Sequence, residues 1–134
     1  MKKIKGFTLV ELVIVIVIVG VLSIVAVPIY RGYTRKAMVT EGKSLLGSIL
    51  NAEKIYFAEH SNYKEIPNAS PTNFDMELDV DARSNKYFTD FVVDVSGDTF
   101  TAQSAGYGGA SGIVLTVIAG KTIEPTWVDN GLND

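Results

Sequence analysis

The chain begins with a long apolar run. After a stub with three lysines that ends in Gly6, residues 7–27 carry a single charged side chain, Glu11. A helix that crosses a bilayer needs about 20 mostly apolar residues, so this run is long enough to span a membrane. Its many β-branched residues would favour a strand in water, but in lipid a lone segment satisfies its backbone groups only as a helix. Pro28 removes one backbone donor and predicts a bend or a local loosening of that helix.

Glu11 is out of place in such a run. A carboxylate within a spanning segment costs roughly 2.5–3.5 kcal/mol on insertion scales. Acidic side chains in these positions mark function and imply a partner. No cation accompanies Glu11 within residues 7–27. The sequence therefore predicts that its partner lies outside its own apolar run.

The next segment, residues 29–62, is polar but keeps a helical period. Apolar side chains recur at spacings that place them on one side of a helix. These predicted core residues are Met38, Leu45, Ile49, Ala52 and Tyr56. The opposite side carries Lys43, Ser44, Asn51, Lys54 and Glu59. We expect an amphipathic helix that continues the spanning one.

Residues 63–134 predict a small globular β head. Prolines and asparagines after Tyr63 indicate a loop, and strand patterns follow. The predicted strands are Tyr87–Val95, Thr99–Ser104, Ile113–Ala119 and Thr122–Val128, with turns at Ser96–Asp98 and Gly120–Lys121. The fold class is therefore α+β, with a long bent amino-terminal α-helix packed on a small antiparallel β-sheet. The expected organisation is a stub over 1–6, a spanning helix over 7–28, an amphipathic helix over 29–62 and a head over 63–134.

Four acidic residues, Asp75, Glu77, Asp79 and Asp81, alternate with apolar ones before the first long strand. They are weak candidates for calcium ligands, since carboxylate oxygens suit that ion. No glycine follows at the spacing of a calcium loop, and a solvated edge strand protected by charge explains the pattern better. We expect no metal site and no cofactor.

The sequence offers little for catalysis. It contains no cysteine and one histidine, His60, which lies near the predicted helix end, where it complements the helix dipole. The glycine-rich stretch Gly106–Gly112 lacks a following helix and a Lys-Ser or Lys-Thr pair, so it predicts a turn rather than a phosphate-binding loop. We expect that the chain is not an enzyme.

Charge is unevenly distributed. The formal net charge is −3, and residues 59–134 hold twelve Asp or Glu against four Lys or Arg. Nonspecific binding of nucleic acid needs a basic footprint, so no nucleic-acid partner is predicted.

The residues Lys5-Gly6-Phe7-Thr8-Leu9-Val10-Glu11, followed by the apolar run to Pro28, closely resemble the amino terminus of type IV pilins and of type II secretion pseudopilins. The resemblance is strong over residues 2–36, looser to about Tyr63 and only architectural beyond. It implies cleavage between Gly6 and Phe7 by a prepilin peptidase, which also methylates the new amine of Phe7. It implies that Phe7, Thr8, Glu11 and Pro28 serve assembly, with Glu11 neutralising the Phe7 amine of a neighbouring subunit.

The same resemblance implies the partners. These are copies of the chain in a helical filament, the peptidase and methyltransferase, a membrane assembly platform with its ATPase, and the lipid bilayer before assembly. The chain would be a single-pass protein of the cytoplasmic membrane with its head outside the cytoplasm, and extracellular once assembled into a pilus for adhesion, motility or a surface fibre.

Four other interpretations differ in what they explain. A major or minor pseudopilin of a type II secretion system, in a periplasmic pseudopilus, also fits a head without disulfides, and some major pseudopilins bind calcium there. A secretory signal peptide has a shorter apolar core, and a generic signal anchor gives no reason for Glu11. A membrane-anchored binding domain is the remote alternative.

Overall fold

A computed structural model of the chain describes residues 6–67, 74–75 and 78–131. The chain divides into two compact units, Met1–Thr34 and Arg35–Asp134. One helix, α1, covers Leu9–His60. The strands are β1 (Phe74–Asp75), β2 (Val80–Asp81), β3 (Val92–Ser96), β4 (Thr99–Ala105), β5 (Val114–Gly120) and β6 (Thr126–Asn130), with a short 3-10 turn at Gly108–Ala110. The α+β fold class predicted from the sequence is confirmed.

Helix α1 continues through Pro28. Proline lacks a backbone N–H, so it cannot donate to the carbonyl of Ile24 one turn earlier, and the helix loses one bond of its ladder there. At the other end the helix stops after His60. Ser61 takes a left-handed conformation with φ of 60° and its N–H donates to the Phe57 carbonyl at 2.8 Å, which closes the last turn.

The main sheet is antiparallel throughout, in the order β3-β4-β5-β6. The register pairs Val93 with Ala102 and Ala102 with Val117, so these side chains line one face. That face is buried, as the alternating pattern of β4 predicts. The free edge of β3 receives one further bridge, because Ile66 and Val93 exchange backbone hydrogen bonds of 2.9 and 3.0 Å.

Two strands begin several residues after the predicted position, and the other boundaries differ from the prediction only slightly. The strand expected over Tyr87–Val95 begins only at Val92, because the carboxylate of Glu41 on α1 takes the backbone N–H groups of residues 86–88. The strand expected over Thr122–Val128 begins at Thr126. Pro125 comes directly before it and has no N–H for a sheet ladder, so the β5–β6 connection is a five-residue loop, residues 121–125, rather than a tight turn.

The acidic alternation over residues 74–81 is not one edge strand, as the period-2 pattern suggested. It folds back as a hairpin in which Phe74 pairs with Asp81 and Asp75 with Val80. Asp79 lies at the turn with φ of 52°, a left-handed conformation that aspartate tolerates better than most residues. Glu77 and the side chain of Asp75 lie outside the described residues.

The second half of α1 packs on the buried face of the sheet. Leu45 and Ile49 are buried as predicted, while Met38, Ala52 and Tyr56 are only partly buried at the margin. The buried side of the helix is wider than the predicted stripe: it comprises Val39, Gly42, Leu45, Leu46, Ile49, Leu50 and Glu53. Their partners include Phe88, Phe91, Val93, Phe100, Leu115 and Val117. The predicted polar residues Lys43, Ser44, Asn51, Lys54 and Glu59 are exposed, as expected.

Gly42 is the point of closest approach between helix and sheet. A Cβ atom at this position would lie 2.5 Å from Leu115 Cδ1 and 2.7 Å from Phe88 Cγ. Both neighbours are fully buried, so they have no free space into which to move. The helical cost of a glycine, about 1 kcal/mol relative to alanine, is therefore offset by packing.

Candidate functional site

The amino end of α1 is closed by a reciprocal set of hydrogen bonds between Thr8 and Glu11. The backbone N–H and the hydroxyl of Thr8 both donate to Glu11 Oε2, at 2.8 and 2.7 Å. In return the Glu11 N–H donates to Thr8 Oγ1 at 3.3 Å. This is a capping box, in which a threonine before the first turn and a glutamate three residues later satisfy each other's donors.

The capping box corrects one expectation about Glu11. The sequence suggested a carboxylate with no partner in its own segment, because Glu11 stands among apolar side chains. The structure gives Oε2 two donors from Thr8. Within the described residues, Oε1 accepts no hydrogen bond. One oxygen of the carboxylate is thus held in place, and the other remains open to a donor.

The helix beyond this cap exposes apolar side chains on every side. Phe7 is 93% exposed and Ile24 76%, and even the least exposed large apolar residue of the run, Val13, keeps 43%. Among the described residues one helix is long and apolar enough to cross a membrane, with a mean hydropathy of 3.2 in its most apolar window. A helix that is apolar all round finds its stability in lipid or against other helices.

Polar side chains inside this run satisfy themselves locally. The Ser23 hydroxyl donates to the Val19 carbonyl at 2.7 Å, one turn back. After Pro28, Tyr30 and Tyr33 are 70% and 69% exposed on either side of Arg31. Aromatic and basic side chains at this place suit the interface between a bilayer and water.

We call the unit Arg35–Asp134 the head unit. In it, Glu41 fixes the segment before β3 to the helix. Its Oε1 accepts the backbone N–H groups of Lys86, Tyr87 and Phe88 at 3.0, 2.6 and 3.0 Å. Partial desolvation works in the opposite direction, but these three donors hold the pKa of the Glu41 carboxyl below its ordinary value. The sequence carries no signal for this contact, because every residue except proline has a backbone N–H and these donors therefore produce no recognisable residue pattern.

Glu53 makes a second contact of this kind. It is fully buried, and its Oε2 accepts the Lys64 N–H at 2.9 Å. It thereby fastens the chain that leaves α1 back to the helix. Both acidic side chains of the amphipathic helix before Glu59 therefore point toward the head.

Of the four acidic residues proposed as weak calcium ligands, Asp79 and Asp81 have described side chains. Among residues whose positions are described, no group of three or more potential ligands could hold a metal ion. Asp81 is engaged by Arg83, whose Nη2 and Nε lie 2.6 and 2.9 Å from its two oxygens. The Arg83 side chain and its backbone N–H lower the pKa of Asp81 to about 2.

The remaining candidates behave as structural residues. The His60 ring stacks on Tyr56 with centroids 4.1 Å apart at the helix end. In the glycine-rich stretch, Gly106 N–H donates to the Ile113 carbonyl at 2.8 Å and Tyr107 N–H to the Tyr87 carbonyl at 2.7 Å. The stretch is a turn, as predicted.

Comparison with known proteins matches the amino-terminal segment. Residues 1–27 fit the model of the prokaryotic N-terminal methylation motif. A type IV major pilin protein of Neisseria gonorrhoeae is 46% identical over 61 residues, 46% of this chain and 37% of the relative. A type IV major pilin protein of Myxococcus xanthus is 34% identical over 64 residues, 48% of this chain and 29% of the relative.

A fimbrial protein of Pseudomonas aeruginosa is 34% identical over 76 residues, 57% of this chain and 49% of the relative. The matches thus span between 29% and 49% of these three relatives. The motif over residues 1–27 and a long helix continuing into a four-stranded antiparallel sheet occur together in one chain. The amino-terminal segment of the chain is thus similar to that of type IV pilins.

Proposed function

We propose that this chain is the structural subunit of a type IV pilus filament. The observation that carries the proposal is the segment 7–27, which joins a methylation motif to an apolar surface exposed on all sides. In a bilayer, lipid covers that surface. In a filament, the same surface packs against copies of itself, and a head-to-tail contact that does not close produces a fibre.

Processing comes first. Cleavage between Gly6 and Phe7 removes the lysine stub and creates a new amine on Phe7, which is then methylated. Gly6 suits the cut, because a residue without a side chain lets a peptidase approach the backbone, and no atom of the described residues lies within 4 Å of the position of its absent Cβ. The peptidase and methyltransferase, an assembly platform and its ATPase are the partners this requires.

Glu11 then selects the register of assembly. Thr8 holds Oε2 of the carboxylate, and Oε1 is open to the Phe7 amine of a neighbouring copy. In a low-dielectric environment an unpaired charge is costly, so a neighbour at the correct stagger is strongly preferred to a slipped one. Pro28 would serve the same packing by loosening the helix where the apolar run ends.

The chain acts as a building block and performs no chemistry itself. Before assembly it crosses the cytoplasmic membrane once, with the head on the outer side, and after assembly it lies in an extracellular fibre.

Two measurements test the proposal. Shearing of cells should release abundant filaments made of this chain, and mass spectrometry of the subunit should show methylated Phe7 as the first residue. A subunit that retains Met1 in assembled material would contradict the processing step. If the chain forms only short periplasmic filaments, and only on overexpression, it is a subunit of a secretion pseudopilus and not of a pilus.

A further inference from the structure

The exposed side of α1 in the head unit carries a line of lysines. Lys36, Lys43 and Lys54 follow one another at spacings of 7 and 11 residues, which at 3.6 residues per turn places them within about 20° of one another around the helix. We call these three residues the lysine stripe. Lys43 forms an ion pair with Asp129 of β6, Nζ to Oδ2 2.5 Å, and keeps 45% of its side chain exposed. The stripe therefore runs along the β6 side of the head.

The stripe is sterically open and its charge is not cancelled on the helix. Gly47 falls at the same angle, and no atom lies within 4 Å of where its Cβ would be. Glu41 and Glu53 bind backbone N–H groups of the head, so neither faces the stripe. The remaining acid between residues 35 and 60 of the helix, Glu59, is exposed and projects about 140° away.

The opposite edge of the sheet is acidic. From Tyr87 to Gly120 the sequence contains no lysine or arginine but three aspartates, Asp90, Asp94 and Asp98. Asp94 on β3 and Asp98 in the β3–β4 turn are exposed. We call this pair the acidic edge. Since the strand order is β3-β4-β5-β6, β3 and β6 are the two ends of the sheet.

Three basic side chains of the head contact groups other than Asp94 and Asp98. Arg83 binds Asp81, and the Lys86 ammonium lies 5.1 Å from the ring centroid of Tyr87. Lys121 donates its backbone N–H to the Asp98 carbonyl at 3.1 Å, but its ammonium lies 6.0 Å from the ring centroid of Phe57. Lysines thus line the helix on the β6 side of the head, and exposed aspartates lie at the β3 end of the sheet.

We propose that the lysine stripe of one copy binds the acidic edge of a second copy. This inference rests on the proposed function, because it concerns how heads meet once the helices assemble. The two surfaces lie on different sides of the head, so the contact is heterologous, the type of contact that produces a fibre when its rotation does not close. Complementary charges fix the orientation of neighbouring heads, since a juxtaposition of like charges is penalised.

The test uses two reversed variants of the full chain in its own host, with filaments quantified after shearing. The first is Lys36→Glu with Lys54→Glu, which leaves the Lys43–Asp129 pair intact. The second is Asp94→Lys with Asp98→Lys. Each should lower filament yield about tenfold or more, while the subunit stays folded and membrane-bound. Glu59→Lys with Glu124→Lys changes the net charge as much as the second variant does and should assemble like wild type.

Rescue decides between a contact and general damage. A chain with all four reversals should recover filaments, because its acidic stripe meets a basic edge. Coexpression of the two reversed variants should also recover filaments that contain both in about equal amounts. Wild-type yields from both reversed variants, or no recovery in either rescue from folded subunits, would overturn the contact and leave the proposed function standing. If the wild-type chain itself yields no filaments, the proposed function fails with it.

Discussion

The two halves of helix α1 show how one secondary structure can serve two environments. Residues 9–34 present large apolar side chains to every side, and none of them is buried. Residues 35–60 bury a defined side that includes Leu46 and Ile49, both fully inaccessible. A stable head therefore depends on the second half alone, whereas the first half gains stability only in lipid or against other helices. The same substitution should then have different consequences in the two halves.

The largest effect is expected at Glu11. Glu11→Ala and Glu11→Val should both leave membrane insertion and the head intact yet remove nearly all filaments, because the neighbour's amine loses its counter-charge. Valine makes the run more apolar, so a loss of filaments in that variant cannot result from a less apolar segment. The measurement is the amount of filament released by shearing, divided by the amount of subunit in the membrane.

Ser23→Ala is the matched control within the same run. The Ser23 hydroxyl serves only its own helix, through Val19, so its loss should not change filament yield. Wild-type assembly by either Glu11 variant would show that this carboxylate does not set the register.

The next effect separates the halves by stability. Ile49→Ala should lower the free energy of unfolding of the head by about 2–5 kcal/mol, since a fully buried side chain leaves a cavity. Ile16→Ala removes the same atoms from a residue that is 60% exposed and should leave head stability unchanged. Denaturant unfolding of the detergent-solubilised chain, followed by Trp127 fluorescence, compares the two. Equal losses would mean that the first half also supports the head.

A smaller and opposite pair of effects is expected at two glycines of the second half. Gly47→Ala should raise the free energy of unfolding by about 0.5–1 kcal/mol, because alanine favours the helix and meets nothing. Gly42→Ala should lower it by about 1–3 kcal/mol, because its Cβ would enter the space of Leu115 and Phe88. Thermal unfolding of both variants gives the comparison, and equal signs would contradict the packing described for Gly42.

The smallest effect concerns pH. The pKa of Glu41 is lowered in the folded head, so the ionised carboxylate stabilises the fold above its ordinary pKa of 4.5. That contribution is lost as the pH falls below 4.5 and through the folded-state value. Between pH 6 and about pH 3, the free energy of unfolding should therefore decrease less steeply for Glu41→Gln than for wild type. Asp81, with a pKa of about 2, is unchanged in both chains, so parallel curves would remove Glu41 as the cause.

The sequence predicts the helix well because its signals are local. Residues 7–27 need only their composition to indicate a spanning helix, and the spacing of Leu45 and Ile49 indicates the buried side. The width of that side, with Leu46 and Leu50 also buried, depends on which residues of the sheet pack against the helix and is not encoded in a single stripe. The beginning of β3 was missed for a related reason. Glu41 lies more than 40 residues from the N–H groups it binds, and no local pattern connects them.

The candidate assembly segment was predictable in its residues and not in its geometry. Glu11 stands out because a charge among apolar residues is rare, and Thr8 three positions earlier fits a capping box. The arrangement of the box, in which both Thr8 donors bind one oxygen of Glu11, is visible only in the structure. It changes the chemical description of Glu11 from an isolated carboxylate to one that is held by one oxygen and open at the other.

The attachment of β6 to the helix has a mechanical consequence. Arg35 Nη2 donates to the Gly131 carbonyl at 2.8 Å, a contact between residues 96 positions apart, and Lys43 binds Asp129 on the same strand. Residue 35 is also where the head unit begins. Tension transmitted along the helices of a fibre would enter the head close to the place where its last strand is fastened. The chain contains no cysteine and so no disulfide that could hold β6. Separation of β6 from the helix would first have to break both of these polar contacts.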